Sequence, residues 1–244
     1  MKRPITIFLF IILISLPSLA QDAKMLTRLG NDLVKLNDYE GALEKYNEAL
    51  TYLPSYVEAI DGKAKVLILM EDYKSAIKLL ENAIKKNSDY SPFYLEYGII
   101  LIHKNKYKDA IENLNKALEL NPKSNLVKSK IYVNRGAAYQ KLDDFDSALN
   151  DYSQAIQLNR KNPNVFMYRG FLYYKNNELE DALDDFNSVI ELDPQNPFAY
   201  YNRGMIYLKL SENNKACDNF HRACELGNKN ACKMILNNCV KFKK

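Results

Sequence analysis

The chain has 244 residues, of which 47% are hydrophobic, and it contains only 8 glycines and 8 prolines. This composition excludes collagen-like and disordered chains. With 34 basic and 30 acidic residues, the charge is too balanced for a typical nucleic-acid-binding protein, because such proteins usually show a clear basic excess. We therefore expect no nucleic-acid partner.

The first twenty residues have the features of a secretory signal peptide. Lys2 and Arg3 precede an apolar run from Ile5 to Leu16, and Ser18-Leu19-Ala20 then supplies a small–x–small cleavage pattern. This run is shorter than the roughly 20 apolar residues that span a bilayer. We predict a signal peptide at 1–20 and an exported protein, periplasmic or secreted, with no membrane span after cleavage. The alternative is an uncleaved membrane anchor.

Six repeats follow the predicted signal peptide. An alanine recurs at steps of 34 residues, with one step of 38, at Ala42, Ala76, Ala110, Ala148, Ala182 and Ala216. A small residue precedes each of them at Gly30, Ala64, Gly98, Gly136, Gly170 and Gly204. Apolar residues three and four apart predict two helices in every copy. The pattern indicates helix-turn-helix repeats at about 23–56, 57–90, 91–124, 129–162, 163–196 and 197–230.

These columns of small and large residues resemble the tetratricopeptide repeat family. The resemblance covers about residues 23–230. It implies an all-α fold, a right-handed α-solenoid of six repeats, followed by a capping helix and a basic tail within 231–244. The four extra residues at 125–128 amount to about one helical turn. They either lengthen the first helix of the fourth repeat or form a loop before it.

Charged residues also recur in register. Arg135 and Arg169 come one residue before the glycine column, and Asp151 and Asp185 come one residue before the aromatic of the second helix. A helical hairpin brings these positions together, so we expect Arg135–Asp151 and Arg169–Asp185 pairs. Because the pairs recur with the repeat, we interpret them as structural rather than catalytic.

All four cysteines lie near the C-terminus, at Cys217, Cys224, Cys232 and Cys239. In an exported chain they predict disulfides. Cysteines seven apart on one helix are separated by about 10.5 Å, beyond the roughly 7 Å limit for a bridge. An antiparallel turn between the two helices favours Cys217–Cys239 with Cys224–Cys232. The alternatives are a redox pair or a metal site, although four-thiolate zinc sites usually contain closely spaced cysteine pairs.

The last hairpin also looks like the secreted, cysteine-rich Sel1-like repeats. The resemblance rests on Ala223-Cys224-Glu225-Leu226-Gly227 and Ala231-Cys232 and covers one hairpin. Such proteins similarly bridge two antiparallel helices. The resemblance implies one alternative function, an enzyme that acts on cell-wall or β-lactam substrates.

In tetratricopeptide arrays the first helices line a concave groove that holds peptides. The resemblance implies a groove formed by Leu95, Ile99, Ile102, Val133, Asn134, Met167, Tyr168, Phe171, Tyr174, Tyr201, Asn202, Met205 and Leu208. Some family members grip a terminal carboxylate with a clamp of Lys, Asn and Arg residues. Asn31 matches one clamp position here, but Gly62, Pro92 and Glu96 occupy others. This departure argues against binding of chaperone tails.

The sequence lacks the common catalytic motifs. It has no glycine-rich phosphate loop, no Gly-x-Ser-x-Gly elbow and no paired-histidine metal motif. The two histidines, His103 and His221, belong to different repeats. We predict no catalytic residue, metal or cofactor. The hypothesis is a non-enzymatic scaffold of the bacterial cell envelope that binds a protein or peptide; a self-associating structural spacer is a further alternative.

Overall fold

The computed structural model describes residues 16–239, and its regular elements in this range are helices. Most of the predicted signal peptide (1–15) and the end of the predicted basic tail (240–244) lie outside the described residues. The predicted all-α, helical-repeat solenoid fold is confirmed.

Twelve helices form six successive helix-turn-helix pairs, as predicted. The odd-numbered member of each pair is its first helix. The bounds are α1 Leu16–Lys35, α2 Tyr39–Tyr52, α3 Val57–Leu69, α4 Tyr73–Lys86, α5 Ser91–His103, α6 Tyr107–Glu119, α7 Asn125–Lys141, α8 Phe145–Leu158, α9 Pro163–Lys175, α10 Leu179–Leu192, α11 Pro197–Lys209 and α12 Asn213–Glu225.

The chain divides into two compact units, residues 1–100 and residues 101–244. In the first unit, the second helices α2 and α4 each bury one large side chain completely, Tyr46 and Leu80. In the second unit the corresponding large residues are Tyr152, Phe186 and Phe220, each at most 1% exposed. One large side chain of each second helix therefore lies at the centre of its hairpin.

The glycine that recurs in the first helices lies against these large rings. A Cβ atom added at Gly136 would lie 2.9 Å from the ring of Tyr152, and one added at Gly204 would lie 2.8 Å from the ring of Phe220. Real Cβ atoms do not make contacts this short, so an alanine would push the ring away. The alternation of small and large residues in the sequence thus reflects direct packing.

The turn between the two helices of each hairpin uses a left-handed residue followed by a cap. Positive φ angles occur there at Asn37, Glu71, Asn105, Asp143, Asn177 and Ser211. The next residue is an aspartate in three of the hairpins, and its carboxylate accepts a hydrogen bond from a backbone N–H in the first turn of the second helix, at Asp38, Asp72 and Asp144. The acidic residues at these turns therefore begin helices.

The four-residue insertion lengthens a helix. α7 has 17 residues, whereas α3, α5, α9 and α11 have 13 each. The side chain of Ser124 caps α7 by accepting a hydrogen bond from the Val127 N–H. The first of the two interpretations offered by the sequence is therefore the correct one.

The two ends of the array have their own helical structure. α1 (Leu16–Lys35) includes the predicted cleavage point after Ala20. At the other end, the predicted capping helix is a short helix, α13 (Lys229–Met234), continued by a π-helical turn at Ile235–Cys239. Ala231 is fully buried in the Phe220 cluster, so this segment covers the last hairpin. Within residues 16–239, no helix has the length and apolar character needed to cross a membrane.

Candidate protein-binding surface

The predicted groove residues of α5 do not form an open surface. Leu95 is only 2% exposed and belongs to the core of the first unit, so the prediction is wrong for this residue. α5 is apolar nearly all round, and a helix of that kind is buried on several faces rather than one. Ile99 and Ile102 are partly buried on the same helix.

The second unit exposes large aromatic side chains on two first helices. On α9, Tyr168 is 43% exposed and Phe171 is 37% exposed, and on α11 Phe198 is 62% exposed. Phe198 was absent from the predicted set, although it lies four residues before Asn202 and therefore on the same helix face. We define the aromatic surface as Met167, Tyr168, Phe171 and Tyr174 of α9 with Phe198, Tyr201, Asn202, Met205 and Leu208 of α11.

Contacts between neighbouring repeats join the α9 and α11 parts of this surface. The Asn202 side-chain amide donates to the sulfur of Met167 over 3.7 Å. The ammonium group of Lys209 lies 5.2 Å from the centre of the Tyr174 ring. The two helix faces thus form one continuous surface in the second unit.

Some of the predicted groove residues mainly support this surface from below. Met167 and Tyr174 pack against the cluster of Ala182, Phe186 and Ile206. Tyr201, Met205 and Leu208 pack against the Phe220 cluster, with the Tyr201 and Phe220 ring centres 6.0 Å apart. These residues are partly buried, so they hold the exposed aromatic rings in place.

Tyr168 rests on a buried tyrosine. Its ring centre lies 5.7 Å from that of Tyr152, whose hydroxyl donates to the Gln140 side-chain oxygen over 2.8 Å. Burial raises the pKa of Tyr152 above its usual value, and the hydroxyl is protonated at neutral pH as in any tyrosine. The Tyr168 ring is therefore supported by a side chain that is itself fixed.

The remaining predicted groove residues of the second unit are on α7. Val133 is partly buried against the cluster that contains Tyr152. Asn134 donates from its side-chain amide to the backbone oxygen of Lys130 over 2.8 Å. Both residues are accessible in part, but neither presents a large apolar side chain to solvent.

The predicted arginine–aspartate pairs are confirmed, and they are part of the scaffold. Arg135 donates to both carboxylate oxygens of Asp151 at 2.8 and 2.7 Å. Arg169 binds Asp185 in the same way at 2.9 and 2.7 Å. The aspartate side chains are only 1% and 3% exposed. The hydrogen bonds that the arginines donate to these carboxylates raise the pKa of both arginines, whereas burial raises the pKa of Asp185.

Arg135, Arg169 and Arg203, the arginine at the equivalent position of α11, each donate a hydrogen bond to the second helix of the preceding repeat. The acceptors are Asn115 for Arg135 (2.6 Å), Ser153 for Arg169 (3.0 Å) and Asn187 for Arg203 (2.7 Å). The first contact spans 20 residues and the other two span 16. The difference equals the insertion in α7, so the insertion leaves this inter-repeat contact intact.

The four cysteines lie in the predicted pairs. The Cα atoms of Cys217 and Cys239 are 5.6 Å apart, and those of Cys224 and Cys232 are 4.9 Å apart, both within the range for disulfides. Among the residues from 16 to 239, no group of acidic, histidine or cysteine side chains has the arrangement of a metal site.

Family models match most of the repeats. Three different tetratricopeptide repeat models match residues 67–131, 129–162 and 199–230, and a TPR repeat model matches residues 172–211. Protein O-mannosyl-transferase TMTC1 of Homo sapiens is 28% identical over 140 residues, which are 57% of this chain. The chain spans only 16% of the length of that relative.

Solved structures share the fold at low sequence identity. Pseudomonas aeruginosa pilF has a TM-score of 0.76 at 20% identity, covering 87% of this chain and 95% of that one. A chain of the APC/C hetero-tetramer Cut9–Hcn1 has a TM-score of 0.73 at 17% identity, covering 90% and 45%. YrrB, a TPR protein with an unusual peptide-binding site, has a TM-score of 0.61 at 22% identity, covering 75% and 93%.

Proposed function

We propose that this chain, which is built from tetratricopeptide repeats, is a non-enzymatic scaffold that binds a protein segment on the aromatic surface. The exposure of Tyr168, Phe171 and Phe198 carries this proposal. Aromatic residues and methionine are enriched in protein interfaces, and burying one large apolar side chain contributes roughly 1.5–3 kcal/mol. YrrB, which shares the fold, supports a peptide as the ligand.

A first prediction concerns affinity for peptides. Short random peptides displayed on phage are selected against the protein without residues 1–20, and their dissociation constants are measured by fluorescence anisotropy. Replacing Tyr168 and Phe171 by serine should weaken the selected peptides about tenfold or more, because two exposed aromatic contacts are lost. Circular dichroism should show that the variant retains its helical content.

The matched control is Leu192→Ser, which removes a large apolar side chain that is 42% exposed on α10, a second helix of the same unit. This change should leave the dissociation constants within about twofold, as for a surface substitution outside the interface. Equal affinities of the Tyr168→Ser/Phe171→Ser variant and the unchanged protein would contradict the proposed function.

We also propose that the protein is exported and acts in the bacterial cell envelope, either in the periplasm or after secretion. The predicted signal peptide and the two cysteine pairs at bridging distance support this, since disulfides persist in oxidising compartments.

A second prediction concerns the state of the cysteines. Alkylation in intact cells that produce the protein should label none of the 4 cysteines, and alkylation after reduction should label all of them. Four labelled thiols before reduction would contradict export.

A further inference from the structure

The first helices of the second unit carry charge of one sign only. α7, α9 and α11 contain lysines and arginines but no aspartate or glutamate, although the whole chain has 30 acidic residues. The second helices α8 and α10 show the opposite composition, with acidic residues and no lysine or arginine. The chain as a whole is nearly neutral, but from α7 to α11 the first helices carry positive charge and the second helices carry negative charge; α12 carries both signs.

Two of the lysines lie directly beside the aromatic surface. The Lys175 ammonium group is 5.2 Å from the centre of the Phe171 ring, and that of Lys209 is 5.2 Å from the centre of the Tyr174 ring. Within residues 16–239, neither ammonium group forms an ion pair with a carboxylate. The arginines of the same two helices, α9 and α11, differ, since Arg169 is bound by Asp185 and Arg203 donates to Asn219.

The helix dipole accounts for only part of this arrangement. Lys175 and Lys209 belong to the last turns of α9 and α11, where a cation stabilises the helix C-terminus by about 0.3–1 kcal/mol. That effect explains a lysine at these positions, but it does not explain the lack of acidic residues along three whole helices. Nor does it require the ammonium groups to lie over rings of the aromatic surface.

We infer that the aromatic surface takes an extended protein segment in which carboxylate side chains alternate with apolar ones; this inference rests on the proposed function. The apolar side chains pack on the exposed rings, and the carboxylates pair with Lys175 and Lys209. Packed helices lie about 8–10 Å apart and an extended chain advances about 3.3 Å per residue. Side chains two residues apart point to the same face of such a segment, so carboxylates two or four residues apart, at about 7 or 13 Å, bracket the spacing of lysines at equivalent positions of neighbouring repeats.

Single-stranded nucleic acid also combines negative charge with flat rings that stack on aromatic side chains. The charge on this surface favours the protein segment. Nucleic-acid binding draws on basic residues along the whole track of the backbone, whereas Lys175 and Lys209 are the only lysines of α9 and α11. The arginines of these two helices are bonded to Asp185 and Asn219.

The test uses the peptides selected from the random phage library. We expect the selected sequences to be enriched in aspartate and glutamate next to aromatic or aliphatic residues, and to bind more weakly as salt screens the charges. The variant Lys175→Glu/Lys209→Glu should weaken them about tenfold, the effect of losing two exposed ion pairs. The control Lys233→Glu changes an exposed lysine on α13 and should have an effect of less than about twofold.

The possible results separate the inference from the proposed function. Peptides that are neutral or basic, but still lose affinity in the Tyr168→Ser/Phe171→Ser variant, would overturn the inference and leave the proposed function standing. Failure to select any peptide that depends on Tyr168 and Phe171 would overturn both. Displacement of acidic peptides by a single-stranded oligothymidylate at lower concentration than by the unlabelled peptide would overturn the inference in favour of nucleic acid.

Discussion

Replacing Asp185 by alanine should lower the free energy of unfolding by about 3 kcal/mol. The carboxylate is 3% exposed and accepts two hydrogen bonds from Arg169, at 2.9 and 2.7 Å. Its removal leaves the guanidinium group of Arg169, whose side chain is 20% exposed, without its counter-ion. Breaking a fully buried ion pair by removing one partner typically costs about 3–5 kcal/mol. Because Arg169 is partly exposed, we expect a loss at the lower end of this range. Urea denaturation followed by circular dichroism measures the change.

Two further variants sharpen this prediction. Asp184→Ala removes the exposed carboxylate next to Asp185 on the same helix and should change the free energy of unfolding by about 0.5 kcal/mol or less. Replacing both partners, as Arg169→Met with Asp185→Leu, should cost less than Asp185→Ala, because no buried charge is left unpaired. A double variant that is less stable than Asp185→Ala would show that the pair stabilises the fold by more than charge compensation.

Removing the Cys217–Cys239 pair by double substitution with serine should lower the free energy of unfolding by about 3 kcal/mol. A bridge stabilises a protein mainly by restricting its unfolded chain, and the effect grows with the length of the closed loop. These residues are 22 apart, whereas Cys224 and Cys232 are 8 apart. The second double variant should therefore lose less, about 2.5 kcal/mol. Denaturation in urea without reductant measures both.

Reductant provides the control for the cysteine variants. Adding dithiothreitol should lower the stability of the unchanged protein to near that of a variant lacking all 4 cysteines, and should leave that variant unaffected. If the unchanged protein is equally stable with and without reductant, the cysteine pairs contribute no covalent stabilisation, and the loss in the variants has another origin.

The sequence predicted the hairpins because their packing is local. Gly136 and Tyr152 contact each other within one hairpin, so their spacing repeats with the period and can be read directly. The Arg169–Asp185 pair was predictable for the same reason. By contrast, the bond from Arg169 to Ser153 joins two repeats, and it depends on how consecutive hairpins pack. The spacing of residues within one repeat therefore does not predict how neighbouring hairpins pack.

The candidate surface was predicted only in part. Leu95 was placed in the groove by its position in the repeat, but α5 is apolar on nearly every face and buries it. Phe198 could have been found, since its spacing to Asn202 is that of one helix face. Lys175 could have been found in the same way, since it lies four residues after Phe171 on one helix face, although the distance from its ammonium group to the ring depends on side-chain conformation. The exposure and charge of its side chains, more than their positions in the repeat, distinguish the surface of α9 and α11 from the surfaces of the other first helices.

Arg169 and Arg203 each donate hydrogen bonds to two neighbouring hairpins, and this affects how the second unit unfolds locally. Arg169 holds Asp185 in its own hairpin and Ser153 in the preceding one, and Arg203 holds Asn219 and Asn187 in the same manner. Opening one hairpin therefore breaks bonds on both of its sides, which raises the nearest-neighbour coupling of the array. Amide protons of α8 to α12 should then exchange with solvent as one cooperative group rather than hairpin by hairpin.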